Sequence, residues 1–496
     1  MKLSELIQKS KIEYAMDLNS DYNDIEINSI EIDNRKCQKG SAFVCIEGYV
    51  TDGHKYAEDA VKKGAGLIVA KSPESLEKYS FKLDGSNAAV VYFKDTRYAL
   101  SALSAAINNN PTEKINLVGI TGTKGKTSTT YMLRSIYKEA AILTGVIGTM
   151  GTQIGDEAVP TERTTPEANV LHDLFSKMKS RGINDCFMEV SSQGLHLERV
   201  GHCSFSTAVF TNLSKDHIGE NEHSDMDDYA AAKAKLFSKC KRALINIDSP
   251  YHEVMLESAK KSGAQIFTYG IDKDADFKAV NIEKNHNSVK YDIKIDGNLY
   301  TIFVPVPGKF TVYNSLAAFL TAVLEGISPE IAAKGLEKVF IPGKAENVPT
   351  GRDFSVLIDY AHNPDSFINI LTTVKEYAKR TVFLFGCGGD RNRPRALMGE
   401  TAGRYADFTI ITSDNPRSED PETIIRDIEK GIIPTKSDYI CITDRKQAIE
   451  FAIKNAHAGD VIILAGKGHE TEQIFADRTI HFDEREIVRD ILKEME

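Results

Sequence analysis

A glycine- and lysine-rich segment, GTKGKTS at residues 122–128, contains the residue types that bind the phosphates of a nucleotide. Gly122 and Gly125 allow backbone angles at which successive N–H groups point toward phosphate oxygens. Lys126 is predicted to contact the β- and γ-phosphates, and the hydroxyl group of Thr127 is predicted to coordinate Mg²⁺. A helix that begins at Thr127 would add the positive end of its dipole. The segment therefore predicts the binding of ATP.

The surroundings of this segment favour a nucleotide over the simpler alternative, a glycine-rich turn without a ligand. An apolar, strand-like run, KINLVGIT, precedes it, and a helix-like run follows it. Ile120 occupies the position of the first glycine in the strict GxxxxGK[ST] pattern, so we interpret the loop as a tightened form of that pattern. Phosphate loops serve motors, switches, kinases and ligases alike, so the loop alone does not define the reaction.

Three later segments contribute side chains that could bind a metal ion. Glu189 ends the strand-like run in MEVSSQGL, Asp216 and His217 lie in TNLSKDH, and Lys233 lies in the alanine-rich DDYAAAKAKLF. Each residue alone has an ordinary structural explanation, such as a strand-end charge or a solvated helix lysine. Their occurrence together in the chain that carries the phosphate loop indicates a metal site beside the nucleotide.

The composition excludes several classes of protein. Lys and Arg total 61 against 71 Asp and Glu among 496 residues, a formal charge of -10 that argues against nucleic-acid binding. The seven cysteines form no CxxC pair and are interpreted as reduced thiols. The N-terminus lacks a signal-peptide core, and no apolar run is long enough to span a membrane. We therefore expect a cytoplasmic protein without membrane insertion.

Apolar, β-rich runs alternate with helix-like segments along the chain, which predicts an α/β protein with mostly parallel sheets. We expect three domains, at residues 1–111, 112–340 and 341–496. The central domain is predicted to be of the P-loop ATPase type, the last to be Rossmann-like, and the first to be a smaller α/β domain. A polar segment at 272–302 alternates like an antiparallel meander. Strands of the last domain end in polar clusters, where open α/β sheets bind ligands.

A series of motifs resembles, in order along the chain, the motifs of the Mur ligase family, the ATP-dependent amide-forming enzymes of peptidoglycan precursor synthesis. They are TGTKGKTSTT, EVSSQGL, TNLSKDH, YAAAKAKLF, PGKFTVYNSLAA, DYAHNPDSF, GCGGDRNRPRALMG, SDNPR and LAGKGHE. TTPE at 164–167 and DNPR at 414–417 resemble the members that add the third amino acid, to UDP-MurNAc-L-Ala-D-Glu. The resemblance implies that a substrate carboxylate attacks ATP to form an acyl phosphate, from which the incoming amine displaces phosphate.

The resemblance also implies a catalytic centre. Lys126 would stabilise charge on the γ-phosphate, one Mg²⁺ would be held by Thr127, and a second Mg²⁺ would be held by Glu189 and His217. Lys233 matches the lysine that is carbamylated in this family, where CO₂ converts the amine into an anionic group that can position metal. The implied ATP contacts are Gly122, Thr123, Lys124, Gly125, Lys126, Thr127, Ser128, Asn314, Asp359, Tyr360 and His362.

Two further groups of contacts are implied by the resemblance, and the first domain is expected to bind the UDP end of its substrate. The contacts for the UDP-MurNAc-dipeptide are Ile32, Asn34, Tyr49, Val50, Thr51, Thr164, Thr165, Ser192 and Arg199. The contacts for the incoming amino acid are Arg391, Asp414, Asn415, Arg417, Gly466 and Glu470.

The incoming amino acid is implied to be meso-diaminopimelate. Arg417 can bind its far carboxylate through two parallel hydrogen bonds, and Glu470 can accept from its distal ammonium group. Lysine lacks that carboxylate and would leave Arg417 unpaired. The alternatives are the same ligase acting on L-lysine, and a nucleotide-binding regulatory homologue without catalysis. We expect a monomer that acts on small molecules.

Overall fold

The computed structural model describes residues 1–12, 25–48, 51–83, 88–216, 218–219, 222–285, 287–390 and 393–495. Tyr49, Val50, His217 and Arg391, which the sequence predicts as contact residues, lie outside these ranges. The chain forms two compact units, one of Met1–Lys278 with Ala317–Ser328, and one of Ala279–Leu316 with Pro329–Glu496. The division into three domains stays a prediction from the sequence.

The N-terminal part of the first unit is a four-stranded parallel sheet whose strands follow in chain order. Its strands are β1 (Ser29–Glu31), β2 (Ser41–Val44), β3 (Leu67–Ala70) and β4 (Ala89–Tyr92). Its helices are α1 (Leu3–Ser10), α2 (Ala57–Lys62), α3 (Pro73–Glu77) and α4 (Thr96–Ile107). All residues of β2 and β3 are buried, and apart from Ser41 all of them are apolar, as expected for strands covered on both faces.

A larger sheet forms the rest of the first unit, in the order β13-β12-β11-β10-β5-β9-β6-β7-β8. The strands from β13 to β6 are parallel, and β7 and β8 add an antiparallel edge. The bounds are β5 (Asn116–Thr121), β6 (Thr144–Gly148), β7 (Gly151–Ile154), β8 (Glu157–Val159), β9 (Asp185–Glu189), β10 (Phe205–Phe210), β11 (Cys240–Asn246), β12 (Gln265–Gly270) and β13 (Phe277–Lys278). Parallel strands end at one edge of a sheet, so the ends of β5, β9 and β10 lie side by side.

The helices of this larger sheet begin where the sequence supplies local signals. They are α5 (Lys126–Glu139), α6 (Ala168–Ser180), α7 (Ser192–His196), α8 (Met226–Ala234) and α9 (His252–Ser262). The carboxylate of Asp225 caps α8 by accepting the N–H groups of Asp227 and Asp228. α5 begins at Lys126, one residue earlier than predicted, because Gly125 adopts the left-handed conformation that precedes the helix.

The second unit contains the predicted meander and a six-stranded sheet. The meander is confirmed as an antiparallel sheet of β14 (Val280–Lys284), β15 (Val289–Ile295) and β16 (Asn298–Val304). α10 (Lys309–Leu324) and α11 (Pro329–Glu337) follow it along the chain. The boundary between the two units falls within α10.

The six-stranded sheet has the order β17-β18-β22-β19-β20-β21 and is parallel except for β17. The bounds are β17 (Glu346–Val348), β18 (Ser355–Asp359), β19 (Arg380–Phe385), β20 (Phe408–Ile411), β21 (Tyr439–Cys441) and β22 (Asp460–Ala465). A separate hairpin consists of β23 (Glu472–Ile474) and β24 (Thr479–His481). The helices are α12 (Pro364–Lys375), α13 (Arg395–Tyr405), α14 (Pro421–Ile432), α15 (Arg445–Lys454) and α16 (Glu484–Glu494).

The observed architecture confirms the predicted fold class, an α/β protein with mostly parallel sheets. Within the described ranges, no helix combines the length and the apolar character that crossing a bilayer requires.

Candidate functional site

The phosphate loop lies between β5 and α5, at the edge of the sheet where β9 and β10 also end. Its two glycines have positive φ angles, 150° at Gly122 and 89° at Gly125. A Cβ atom at Gly122 would lie 2.0 Å from the hydroxyl oxygen of Thr211, so no larger residue fits there. The conformation predicted for a phosphate-binding turn is therefore the one observed.

The segment that follows β10 braces the phosphate loop. The N–H of Thr123 donates to the Asn212 carbonyl oxygen at 2.9 Å, and the N–H of Lys124 donates to Asn212 Oδ1 at 3.0 Å. Asn212 Nδ2 and the Thr211 hydroxyl group both donate to the Lys124 carbonyl oxygen, at 2.9 and 2.7 Å. Asn212 was not predicted from the sequence, although it lies within the TNLSKDH motif.

Lys126 and Lys233 converge on one atom of this loop. Lys126 Nζ donates to the carbonyl oxygens of Gly122 and Thr123 at 2.8 and 3.0 Å. Lys233 Nζ, which α8 supplies, donates to the same Gly122 oxygen at 3.0 Å. The amine groups of Lys126 and Lys233, which are far apart in the sequence, therefore lie next to each other at the phosphate loop.

Lys233 is buried, with only 1% of its surface exposed. Burial lowers the pKa of its amine well below the ordinary value, and the positive charge of Lys126 lowers that pKa further, whereas Asp216 acts in the opposite direction. The ring centroid of Tyr229 lies 4.5 Å from Lys233 Nζ. This environment favours the neutral amine, which is the nucleophilic form of lysine.

Glu189 ends β9 directly beside the phosphate-binding strand, with Ile120 of β5 as its register partner. Its carboxylate is buried and accepts two hydrogen bonds from Thr149, one from the N–H at 3.0 Å and one from the hydroxyl group at 3.1 Å. A Cβ atom at Gly148 would lie 2.2 Å from Glu189 Oε1, so the glycine leaves room for the carboxylate. Thr149 was not among the residues predicted from the sequence.

Two threonines predicted to contact the peptide substrate lie at the same end of β9. The Thr164 and Thr149 hydroxyl oxygens are 3.0 Å apart. The Thr165 hydroxyl group donates to the Glu189 carbonyl oxygen at 2.9 Å. Ser192 is the first residue of α7, the helix that follows β9 along the chain. The structure therefore groups the predicted peptide contacts around the predicted metal ligand.

Arg199 is anchored in the same region. Its Nη1 donates to the Thr165 carbonyl oxygen at 3.1 Å, and its Nε lies 3.0 Å from Glu167 Oε1. Glu167 also pairs with Arg163 at 3.2 Å. This cluster carries more positive than negative charge, which suits a substrate with several acidic groups.

Two of the predicted uridine contacts, Asn34 and Thr51, have partners within the described part of the protein. Asn34 Nδ2 donates to Asp59 Oδ2 at 2.5 Å, and the Thr51 and Tyr56 oxygens are 3.4 Å apart. Ile32, at the end of β1, is half-buried. A ligand that used the Asn34 amide would share it with Asp59 or displace that carboxylate.

Residues predicted to contact adenine and ribose lie at the end of β18 in the second unit. Both carboxylate oxygens of Asp359 accept backbone N–H groups, from Ala361 and Ala345, at 2.7 Å each. Asp359 therefore shapes the turn that presents Tyr360. Asn314, the remaining predicted ATP contact of this unit, is buried in α10.

Tyr360 is surrounded by groups that suit a planar, electron-rich ligand. The ring centroids of His362 and His469 lie 4.8 and 5.1 Å from its own, and Lys344 Nζ lies 5.3 Å from it. Burial lowers the pKa of His362, so the ring is neutral near neutral pH. His469 was not predicted, although it lies within the LAGKGHE motif.

The predicted amino-acid contacts within the described residues lie in the segments that follow β20 and β22. Asn415 Nδ2 donates to Glu470 Oε2 at 2.9 Å. A Cβ atom at Gly466 would lie 2.5 Å from Asp414 Oδ2, so the glycine permits a close approach. Burial raises the pKa of Glu470, and Lys467 opposes that effect most strongly.

Arg417 presents an unsatisfied donor to this cluster. Its backbone is left-handed, with φ of 54°, and its N–H donates to the Ile474 carbonyl oxygen at 3.1 Å. Its side-chain Nε is buried and has no hydrogen-bond partner among the residues that the structure describes. Such a donor is costly unless a ligand supplies an acceptor.

The sheet order and the glycine-lysine loop define a P-loop nucleotide-binding protein, and sequence comparisons identify its family. The model described as "Mur ligase family, catalytic domain" matches residues 26–109, "Mur ligase middle domain" matches 120–322, and "Mur ligase, glutamate ligase domain" matches 345–468. The chain belongs to the Mur ligase family.

The relatives extend over the whole length of the chain. It is 45% identical over 499 residues to the UDP-N-acetylmuramoyl-L-alanyl-D-glutamate--2,6-diaminopimelate ligase of Caldanaerobacter subterraneus subsp. tengcongensis, with 100% of both chains covered. It is 40% identical over 474 residues to the enzyme of the same name from Clostridium perfringens, with 94% of this chain and 95% of the relative covered. A solved structure of a ligase of that name has a TM-score of 0.72 and 28% identity, and covers 100% of this chain and 99% of its own.

Proposed function

We propose that this protein is an ATP-dependent ligase that joins meso-2,6-diaminopimelate to the D-glutamyl carboxylate of UDP-MurNAc-L-Ala-D-Glu. The observation that carries the proposal is the convergence of Lys126 and Lys233 on the Gly122 carbonyl oxygen at a glycine-rich phosphate loop. The names of the relatives, which match over their full length, support the substrates and the reaction.

The first step brings two anions together, a carboxylate and the γ-phosphate of ATP. The carboxylate oxygen attacks phosphorus, the bond to the β,γ-bridging oxygen breaks, and ADP leaves. Lys126 lies where it can reduce the repulsion between the two anions and stabilise the charge of the transition state. The amine of the amino acid then attacks the acyl carbon, and phosphate leaves as the amide forms.

Thr127, in the first turn of α5, and Glu189, at the end of β9, each fit a magnesium ion. The hydroxyl group of Thr127 and the buried carboxylate of Glu189 are hard oxygen donors of the kind that Mg²⁺ prefers. The metal supplies electrostatic stabilisation of the phosphoryl oxygens when it is bound. Thr149 orients the Glu189 carboxylate through two hydrogen bonds. His217 is proposed as a further ligand from the family motif alone.

Lys233 is proposed to carry a carbamate. Its amine nitrogen would attack the carbon of CO₂ and lose a proton, so that a neutral group becomes an anion beside Lys126. The buried position and the lowered pKa of Lys233 support this step, because only the unprotonated amine reacts. A carbamate signal from ¹³CO₂-labelled protein that disappears in Lys233→Met would support the assignment. An active wild-type enzyme without that signal would refute it.

The second unit is proposed to bind the incoming amino acid. The unpaired Nε of Arg417 fits the far carboxylate of diaminopimelate, and Glu470 fits an ammonium group. Asp414, Asn415 and Gly466 would complete the contacts, with Arg391 assigned from the motif. Lysine would leave the Arg417 guanidinium without its partner, which favours diaminopimelate.

Three domains are proposed, at residues 1–111, 112–340 and 341–496. The three matched family regions each lie inside one of these ranges, which supports the division. The first domain is proposed to bind UDP through Ile32, Asn34, Tyr49, Val50 and Thr51. The peptide part of that substrate is assigned to Thr164, Thr165, Ser192 and Arg199. We also propose that the enzyme acts as a cytoplasmic monomer.

Phosphate release from ATP tests the proposal. The assay contains UDP-MurNAc-L-Ala-D-Glu and either meso-diaminopimelate or L-lysine, and mass spectrometry identifies the tripeptide product. We expect product with diaminopimelate and a far lower rate with lysine. Product with lysine alone would make the chain a lysine-adding ligase, and no product with either would favour a non-catalytic homologue.

A further inference from the structure

The amino-acid site of the second unit encloses a lysine that the proposed reaction does not use. Lys467 follows β22, and its side chain has 0% of its surface exposed. Gly466 and Gly468, on either side of it, have φ angles of 112° and 56°. Because both neighbours adopt conformations that disfavour other residues, the backbone turns so that the lysine side chain points inward.

Lys467 determines which way the Asn415 amide faces. Lys467 Nζ donates to Asn415 Oδ1 at 2.9 Å, and the N–H of Ile474 donates to the same atom at 3.0 Å. Both partners can only donate, so this atom must be the amide oxygen. The NH₂ group consequently faces Glu470, to which it donates at 2.9 Å.

Lys467 also ties the site to the β23–β24 hairpin. Its Nζ donates to the Glu472 carbonyl oxygen at 2.6 Å. The Gln473 side chain donates to the Asp414 carbonyl oxygen at 2.8 Å, and Ile474 accepts from the N–H of Arg417. The buried ammonium group of Lys467 therefore contacts both Asn415, in the segment after β20, and Glu472, in β23.

Lys467 and Glu470 are close enough for each to influence the pKa of the other. Lys467 Nζ lies 3.5 Å from Glu470 Oε2. Burial and Asp414 both raise the pKa of Glu470, and Lys467 lowers it. Burial lowers the pKa of Lys467, Arg445 adds to that effect, and Asp414, Glu470 and Glu484 oppose it. Lys467 therefore favours the ionised form of the Glu470 carboxylate.

We propose that Lys467 is a positioning residue for the amino-acid substrate, which fixes the direction of the Asn415 amide and places a positive charge beside the Glu470 carboxylate. An ionised Glu470 accepts a hydrogen bond from a substrate ammonium group, whereas a protonated one presents a donor to it. The inference rests on the proposed function, because it takes the ligand of this site to be an amino acid with an ammonium group.

Two substitutions separate the two roles of the lysine. Lys467→Gln retains a donor for Asn415 but removes the charge, whereas Lys467→Met removes both. Lys454→Met is the matched control, because Lys454 lies in α15 of the same domain with half of its side chain exposed. The measurements are kcat and KM for diaminopimelate and for ATP, the pH dependence of kcat/KM, and thermal unfolding.

We expect Lys467→Met to raise the KM for diaminopimelate about tenfold or more, as the loss of one charge-assisted interaction implies, and to leave the KM for ATP unchanged. In Lys467→Gln, the acidic limb of kcat/KM for diaminopimelate should move upward by about one pH unit, because Glu470 loses its neighbouring cation. Lys454→Met should behave like the wild type in every measurement.

Three results would overturn the inference. They are an unchanged KM for diaminopimelate in Lys467→Met, equal changes in both KM values, and failure of both variants to fold, which would make the lysine a stability determinant. If the wild-type enzyme ligates diaminopimelate and both Lys467 variants behave like it, this inference is wrong but the proposed function stands. A wild-type protein that ligates no amino acid contradicts the proposed function.

Discussion

Arg417→Ala is the substitution with the clearest expected effect on substrate selection. The guanidinium group would form two parallel hydrogen bonds with the far carboxylate of diaminopimelate, and each hydrogen bond to a charged group contributes about 1.5–3 kcal/mol. Their loss amounts to about 3–6 kcal/mol, which lowers kcat/KM for diaminopimelate by about 10²–10⁴-fold. Alanine at position 417 can adopt the same left-handed backbone conformation and donate the same backbone N–H to the Ile474 carbonyl oxygen. We therefore expect the loop after β20 to keep its conformation.

The assay is phosphate release with one substrate varied and the others saturating, first for the wild type and then for the variant. We expect the KM for ATP to stay unchanged, and kcat/KM for lysine to stay level or rise, because lysine forms no bond with the guanidinium group and no longer leaves it unpaired. Selectivity for diaminopimelate over lysine should therefore shrink by at least the same factor. Arg426→Ala, an exposed arginine of α14 in the same domain, serves as the control.

Two outcomes would refute the reasoning about Arg417. If KM for ATP and KM for diaminopimelate rise equally, the residue supports the domain as a whole. If the variant keeps the selectivity of the wild type, another group recognises the far carboxylate.

Three further substitutions test other parts of the structure. Lys233→Met should lower kcat by about 10²-fold or more, as loss of a group that positions metal does, and wild-type phosphate release would contradict this role. Asn212→Ala removes two hydrogen bonds to Lys124 and should raise the KM for ATP about tenfold without changing that for diaminopimelate. His172→Leu should reduce the loss of folding stability at acidic pH. Burial lowers the pKa of His172 to about 3, and its ring nitrogens lack partners among the described residues.

The direction of the pH effect at His172 follows from its different proton affinities in the folded and the unfolded chain. The unfolded chain binds a proton near pH 6.5 while the folded chain resists it, so stability is lost as the pH falls from about 6.5 toward about 3. At about pH 5 the loss is about 2 kcal/mol. Urea unfolding at about pH 5 and about pH 7.5 measures it, and an equal pH dependence in His172→Leu and the wild type would contradict the assignment.

The phosphate loop could be predicted from the sequence because its determinants are local. The two glycines, the lysine and the adjoining apolar run lie within a dozen residues, and the backbone angles at Gly122 and Gly125 follow from residue type. Asn212 could not be found in this way. Its role depends on β10 lying beside β5, and that pairing is a tertiary fact that no short window of sequence contains.

The amino-acid site shows the same limit. The charge of Arg417 suggested a carboxylate from the motif alone, but only the structure shows that its Nε is buried without a partner in the described part of the chain. Lys467 stood in a motif that the sequence analysis noted, yet lysines are usually exposed. Its burial comes from two flanking glycines and a hairpin that follows them, so its importance appears only after the chain has folded.

The position of β22 has a consequence for how the protein is made. β22 pairs with β18 on one side and with β19 on the other, although it begins at Asp460, far along the chain from the starts of those strands at Ser355 and Arg380. A growing polypeptide on the ribosome therefore exposes one edge of β18 and one edge of β19 until β22 emerges. Such edges invite aggregation, so the interval between the synthesis of β19 and that of β22 is one in which a chaperone would protect the chain.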